Sequence, residues 1–263
     1  MKLKGKIALI TGASAGIGAA IAYAFAEEGC NLVLFARRKA ILDEVAADIR
    51  SKYNVLVYTY QSDVRNYNQS KEIIENLPEE VQNIDILVNN AGKALGLSKI
   101  QDGELSDWEE MIDTNIKGLL YISRLVLPKM VERHSGHVIN IGSLAGHEVY
   151  PAGNVYCGTK SFVRAISKGM IIDLNGTGVR VTNIDPGLVE TEFSIVRFHG
   201  DETRAENVYK GYEPLQGKDI ADIALFAVTR PEHVMIQEIF VTPTAQANAT
   251  IRSEERRVGK ECR

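Results

Sequence analysis

Thr11-Gly12-Ala13-Ser14-Ala15-Gly16-Ile17-Gly18 stands between an apolar run, Lys6–Ile10, and a helical pattern, Gly16–Glu28. Three glycines in a strand-to-helix turn let the backbone bend sharply and approach a ligand closely. The helix that follows offers unbonded amides and the positive end of its dipole at the same place. Together these properties make a seat for a pyrophosphate. The spacing is T-G-x-x-x-G-x-G, not the G-x-G-x-x-G of the general dinucleotide fingerprint. Glycines in such a turn also serve structure alone, so the motif needs its context. Gly12, Ser14, Gly16, Ile17 and Gly18 are assigned to this cradle.

Outward from the turn, short apolar runs alternate with longer helical patterns. Strands are expected at Lys6–Ile10, Asn31–Phe35, Val55–Tyr60, Ile84–Val88, Val138–Ile141, Val179–Ile184 and Glu238–Val241. Helices are expected at Gly16–Glu28, Ala40–Lys52, Asn68–Asn76, Ser106–Arg133, Val155–Leu174 and Asp219–Val228. Strands joined by helical crossovers imply an α/β fold, a Rossmann-type doubly wound parallel sheet of about seven strands with helices on both faces. Nearly continuous apolar strands fit a sheet covered on both sides. Ser106-Asp107-Trp108-Glu109 reads as a capping box opening the fourth helix. Gly187–Tyr212 is polar and long for a connection, and reads as a lid or substrate loop. No linker interrupts residues 1–251, which read as a single dinucleotide-binding and catalytic domain. Arg252–Arg263 is charged and unpatterned; it reads as a non-native or disordered tail and is set aside.

Composition narrows the function classes. The 263 residues carry a formal net charge of -4, with 45% hydrophobic and 24% charged residues. That balance recommends no nucleic acid as a partner. Cys30, Cys157 and Cys262 show no metal-ligand spacing and no disulfide framework, so no metal is expected and a reducing cytoplasm is. No signal peptide and no membrane span are read.

The end of the second strand selects a cofactor. A carboxylate there would bind a ribose 2′-hydroxyl. Here the strand ends Phe35-Ala36-Arg37-Arg38, with no acid before Asp43. A guanidinium grips a 2′-phosphate with charge-assisted hydrogen bonds, so Arg37 and Arg38 point to NADP(H). The plainer reading is a solvated helix start. Asp63, with Val64 beside it, is placed at the adenine; Asn89, Ala91 and Gly92 are placed beside the adenine ribose. Turn chemistry alone accounts for these equally well.

Tyr156 and Lys160 are four residues apart on one predicted helix, which puts them on one face. A neighbouring ammonium is expected to lower the phenol pKa from about 10 and equip the pair for proton exchange with an alcohol or carbonyl oxygen. Ser143, just past the fifth strand, can donate to that oxygen as charge develops. Singly, each of these residues is commonplace; their joint position at the carboxyl ends of a doubly wound sheet is not.

The set Thr11-Gly12-x-x-x-Gly16-x-Gly18, Asn89-Asn90-Ala91-Gly92, Asn115, Ser143, Tyr156-x-x-x-Lys160 and Pro186-Gly187 resembles the short-chain dehydrogenase/reductase family over Lys6 to about Thr244. The resemblance implies that Tyr156 is the acid/base, that Ser143 positions the substrate oxygen, and that Lys160 also binds the nicotinamide ribose. It implies that Asn115 holds a water of a proton relay and that Pro186, Gly187, Val189 and Thr191 line the nicotinamide. It further implies strand order 3-2-1-4-5-6-7 and a homotetramer. Pro186–Ser194, with Val196-Arg197-Phe198 and Gly200-Asp201, is similar to the branch of NADP-dependent 3-hydroxy acid dehydrogenases. Members act on serine, allo-threonine or 3-hydroxypropionate-type small molecules. Cys157 beside the tyrosine departs from the small residue usual there and reads as packing. A ketoacyl or general carbonyl reductase on the same scaffold is the alternative; a catalytically silent nucleotide sensor is a third reading. For a substrate carboxylate the loop offers Arg197 and Arg204. Arg197, between Val196 and Phe198, is preferred over the competing reading of a surface arginine paired with Glu192 or Asp201.

Overall fold

Alternate residues of each strand must serve two cores, because side chains of a strand point to opposite faces. The computed structural model, which describes Met1–Ile251, shows this directly; the tail Arg252–Arg263 and Cys262 lie outside the described residues. The elements run β1 (Ile7–Thr11), α1 (Gly16–Glu27), β2 (Asn31–Ala36), α2 (Lys39–Lys52), β3 (Val57–Gln61), α3 (Tyr67–Glu75) and β4 (Ile86–Asn89). Then come α4 (Leu105–Ile112), α5 (Leu119–Glu132), β5 (Gly136–Ile141), α6 (Asn154–Asp173) and β6 (Val179–Pro186). The last are β7 (Val189–Glu190), α7 (Phe193–Arg197), α8 (Glu202–Asn207), β8 (Leu215–Gln216), α9 (Gly217–Val228) and β9 (Glu238–Val241).

Seven strands form one sheet in the order β3-β2-β1-β4-β5-β6-β9, with every pairing parallel. This is the expected Rossmann-like architecture and strand order. Ala8, Ile10, Leu32 and Leu34 face α1 and α9, where Ile21, Phe25, Ile220 and Ala224 meet them. Leu9, Val33, Phe35 and Leu87 face the other way, onto Ile122 and Val126 of α5 and Val163 of α6. The winding reverses between β1 and β4, so the carboxyl ends of these strands open a crevice. Among the described residues no helix is long and apolar enough to cross a membrane.

Two expectations need correction. The Ser106 capping box does not form: α4 begins at Leu105, its N-cap is Glu104, and no side chain caps it. Nor is Ser106–Arg133 one helix, for a π-helical turn at Asp113–Gly118 separates α4 from α5. Such i→i+5 turns shift side chains off the regular helical stripe. Here the shift buries Thr114 and Asn115. Gly187–Tyr212 is also more ordered than a plain loop. It carries β7, α7 and α8, and its first residues pair with β8, Val189 opposite Leu215.

Candidate active site

A cavity of about 540 Å³ lies over the carboxyl ends of the central strands. Gly12 and Gly16 line it with φ of 67° and 55°, a left-handed conformation that side chains rarely adopt. Ser14 and Ile17 also line it, and Ala15 at the N-cap of α1 provides no side-chain cap for the first amides. Gly18 does not reach the cavity wall. A Cβ there would overlap the Gly12 carbonyl oxygen, so this glycine lets α1 pack against the turn.

Asn90 ties this turn to the end of β4. Its Nδ2 donates to the carbonyls of Thr11 and Gly12 at 2.9 and 3.2 Å. The Thr11 hydroxyl in turn accepts from the amides of Asn90 and Ala91, both at 3.0 Å. Ala91 and Gly92 line the cavity as expected, whereas Asn89 does not. The Asn89 side chain donates to Ser123 Oγ (3.0 Å) and Asn140 Oδ1 (2.9 Å), away from the crevice. Strand alternation supplies the reason: Leu87, two residues earlier, faces α5 as well. That signal was available in the sequence and selects Asn90 instead.

Arg37 and Arg38 sit where β2 exits and line the cavity, half exposed. Arg38 Nη1 is 2.8 Å from Glu192, and its Nη2 donates to Ser14 Oγ at 3.4 Å. Arg37 Nη1 is 3.6 Å from Glu110, which also takes Arg65 and Lys93. Asp63 and Val64 are on the wall. The Asp63 carboxylate is already held by Arg65, through Nε at 3.0 Å and Nη2 at 2.6 Å. Lys93, unnoticed in the sequence, lines the cavity beside them, and burial pulls its pKa down against Glu110.

The tyrosine, lysine and serine converge as expected. Tyr156 occupies the first turn of α6 and is 8% exposed; Lys160 is one turn on and 6% exposed. Both line the cavity with Ser143. The electrostatics differ from expectation. Lys160 Nζ donates to the Ile141 carbonyl at 2.8 Å, and burial lowers its pKa to about 8 while Asp185 opposes the fall. Burial pushes the Tyr156 phenol up, and Tyr150 adds to it; the Ser143 hydroxyl and the Arg197 guanidinium pull it back. Desolvation therefore outweighs the Ser143 hydrogen bond and the one cation acting on the ring, Arg197, and the phenol shifts upward rather than downward.

Asn115 contributes through the π turn. Its Oδ1 accepts the Lys93 amide at 2.9 Å, and its Nδ2 donates to the Lys93 carbonyl (2.8 Å) and Thr159 Oγ1 (3.0 Å). The side chain thus staples β4's exit to α6 rather than lining the cavity. Gly92 fits between it and the lysine: a Cβ there would lie 3.3 Å from Asn115 Oδ1 and 3.6 Å from Lys160 Nζ.

Pro186, Gly187, Val189 and Thr191 form the opposite wall. Gln246, beyond β9, braces it by accepting the Leu188 amide at 2.9 Å. Arg197 enters from α7. Its Nε donates to the Gly96 carbonyl at 3.3 Å and its Nη1 to the Tyr150 hydroxyl at 2.9 Å. The guanidinium carbon lies 5.6 Å from the Tyr156 ring centre. Its Nη2 is buried and has no hydrogen-bond partner among the described residues. The surface pairing considered for it does not occur. Glu192 is taken by Arg38, and Asp201 caps α8 by accepting the Arg204 amide at 3.0 Å. Arg204 lies over the Phe198 ring, 4.5 Å from its centre.

The family model for short chain dehydrogenases matches residues 6–201. The chain belongs to the short-chain dehydrogenase family. This short-chain dehydrogenase is 45% identical to an NADP-dependent 3-hydroxy acid dehydrogenase of Schizosaccharomyces pombe, over 94% of its own length and 96% of that protein's. It is 46% identical to the NADP-dependent 3-hydroxy acid dehydrogenase YdfG of Escherichia coli K12, over 92% and 97%. Among solved structures, the closed form of a serine dehydrogenase complexed with NADP+ superposes with a TM-score of 0.90 at 45% identity. It covers 95% of this chain and 100% of that one. Serine dehydrogenase from Escherichia coli superposes at 0.79 with 41% identity, over 92% and 99%.

Within the short-chain dehydrogenase site, sequence reasoning missed Asn90, Lys93, Tyr150 and Gln246. Strand alternation could have found Asn90; the other three act through backbone groups or side chains distant in sequence, so no local spacing marks them. Cys157, read as packing, is fully buried against Ala94, Met111, Ala145 and Tyr156.

Proposed function

We propose that this short-chain dehydrogenase transfers a hydride between NADP(H) and the C–OH carbon of a small 3-hydroxy acid of the serine, allo-threonine or 3-hydroxypropionate type. Its relatives' names support that reading. The observation that carries it is the buried, unpartnered Nη2 of Arg197 above the Tyr156 ring. A buried cationic donor left without an acceptor is costly. A substrate carboxylate answers it and can accept two parallel bonds from one guanidinium.

The cavity suits the cofactor. The left-handed Gly12 and Gly16 and the uncapped start of α1 form a pyrophosphate seat, and Arg37 and Arg38 flank the position of a 2′-phosphate. When bound, the nicotinamide accepts or supplies the hydride. Tyr156 gives its proton to, or takes one from, the substrate oxygen, and Ser143 donates a hydrogen bond to that oxygen as negative charge grows on it. Lys160, cationic below about pH 8, holds the ribose and favours phenolate as the proton leaves. Asn115 fixes the π turn beside it. The polar segment 187–212, part of which lines the cavity, would cover a bound nicotinamide and exclude water. The family resemblance implies a homotetramer, and the buried, unpaired Cys30 and Cys157 support a reducing compartment such as the cytoplasm.

Arg197→Ala tests the assignment. Each charge-assisted bond lost is worth ~1.5–3 kcal/mol, so KM for serine or 3-hydroxypropionate should rise roughly 10- to 100-fold. KM for an uncharged ketone should change less than about threefold, a shift of well under 1 kcal/mol. Equal effects on both substrates would show that Arg197 only shapes α7.

A further inference from the structure

Asp185, on β6, is fully buried and matches no motif in the sequence. A carboxylate without exposure is costly unless donors satisfy it. Three do. Oδ1 accepts the Ser143 amide at 2.9 Å, and Oδ2 accepts Asn183 Nδ2 at 2.6 Å and His147 Nε2 at 2.9 Å. The approach to Ser143 is tight: a Cβ on Gly142 would overlap Asp185 Oδ1, so only glycine lets the carboxylate reach across from β6. Ser143 itself is extended, with φ -174° and ψ 155°, and its Oγ accepts the Ala145 amide at 3.1 Å. Its backbone is therefore pinned from one side by Asp185 and its hydroxyl from the other by the turn Leu144–Gly146.

His147 completes the arrangement. It follows that turn directly, so both ends of the segment bearing Ser143 are tied to one carboxylate. The His147 ring packs against Phe240, 5.1 Å between centres, and lies 3.7 Å from Glu238, which Arg164 Nε binds at 2.9 Å. The ring is thus held in place by β9 and α6 independently of Ser143.

We propose that Asp185 is a positioning residue for hydride transfer, clamping the Ser143 backbone so that its hydroxyl stays aimed at the reacting oxygen, with His147 holding the carboxylate in register. The clamp joins β5's exit to β6, two elements that the hydrogen-bond ladder stops joining at that point. A charge-assisted bond to a buried amide is stronger than a neutral one. Preorganised donors lose effectiveness when their supporting residues are released. The inference rests on the role given to Ser143, which Ser143→Ala tests alone.

The experiment is a double-mutant cycle, run on the full chain with whichever substrate the parent turns over best. Asp185→Asn should lower kcat ~10- to 100-fold, in line with the effect of releasing an orienting partner. KM and the NADPH dissociation constant should move less than about threefold. In the Ser143→Ala background the same change should cost less than about threefold, because no hydroxyl remains to be aimed. His147→Gln should show the same pattern, smaller, and serves as the probe if Asp185→Asn fails to fold. A loss in the Ser143→Ala background more than half as large on a logarithmic scale as in the parent would overturn the proposal. So would an unchanged kcat in the single variants. If Ser143→Ala alone leaves turnover intact, the serine's role fails first, and the clamp fails with it.

Discussion

Tyr156→Phe is expected to lower turnover by about 10²- to 10⁴-fold, the contribution of a positioned acid or base. Affinity for NADPH should stay within threefold. The phenylalanine ring keeps the packing against Phe193, whose ring centre is 5.7 Å from that of Tyr156, and against Ala94, Met111 and Cys157. Only the hydroxyl is lost, and with it the proton that the substrate oxygen exchanges. Stability should hold or rise slightly, since a buried hydroxyl is removed without opening a cavity. Stopped-flow binding and steady-state rates separate the two effects. Near-normal kcat in this variant would mean that another group moves the proton. A parallel loss of cofactor affinity would mean that the ring, not the hydroxyl, is what the site needs.

Combined Arg37→Ala and Arg38→Ala substitutions are expected to erase most of the preference for NADP(H) over NAD(H). Two charge-assisted contacts at ~1.5–3 kcal/mol each correspond to roughly 10²- to 10⁴-fold in kcat/KM for NADP(H). The lower half of that range is expected here. Both guanidinium groups are half exposed, and each already faces a carboxylate, Glu110 for Arg37 and Glu192 for Arg38. A phosphate must displace or share those partners, and solvent weakens what it gains. Efficiency with NAD(H) should change little or improve. A parent enzyme equally efficient with both cofactors would contradict the assignment, and so would a variant that retains its preference.

Much of this architecture was legible because it repeats a local rule. The strands announce themselves as apolar runs, buried on both faces at β1, β2, β4, β5 and β6, and the glycines of the first turn mark the crevice. Tyr156 and Lys160 are legible because one helical turn separates them. What stayed hidden depends on contacts across the sheet. The break at Asp113–Gly118 is masked by apolar spacing: Trp108, Met111, Ile112, Ile116 and Leu119 keep a helical stripe through the π turn, although the poor helix formers Asp113, Thr114, Asn115 and Gly118 cluster there. The Ser106 capping box satisfied the spacing rule, yet the N-cap of α4 is Glu104, two residues earlier, which leaves the serine inside the first turn. The raised phenol of Tyr156 and the lowered ammonium of Lys160 reflect burial, which spacing on a helix does not report. Arg197 is the opposite case. Its neighbours Val196 and Phe198 hinted at anchoring, and the structure adds the reason: Gly96 and Tyr150 hold two of its nitrogens and leave the third unpartnered.

The most direct measurement is a substrate panel followed by the change in NADPH absorbance. It sets serine, allo-threonine and 3-hydroxypropionate with NADP+ against a 3-ketoacyl thioester and a simple ketone with NADPH. For a 3-hydroxy acid dehydrogenase, kcat/KM for at least one 3-hydroxy acid should exceed the values for the thioester and the ketone by about tenfold or more, the equivalent of one charge-assisted contact to Arg197. Efficient reduction of the thioester with no oxidation of any 3-hydroxy acid would contradict it and place the enzyme among ketoacyl reductases.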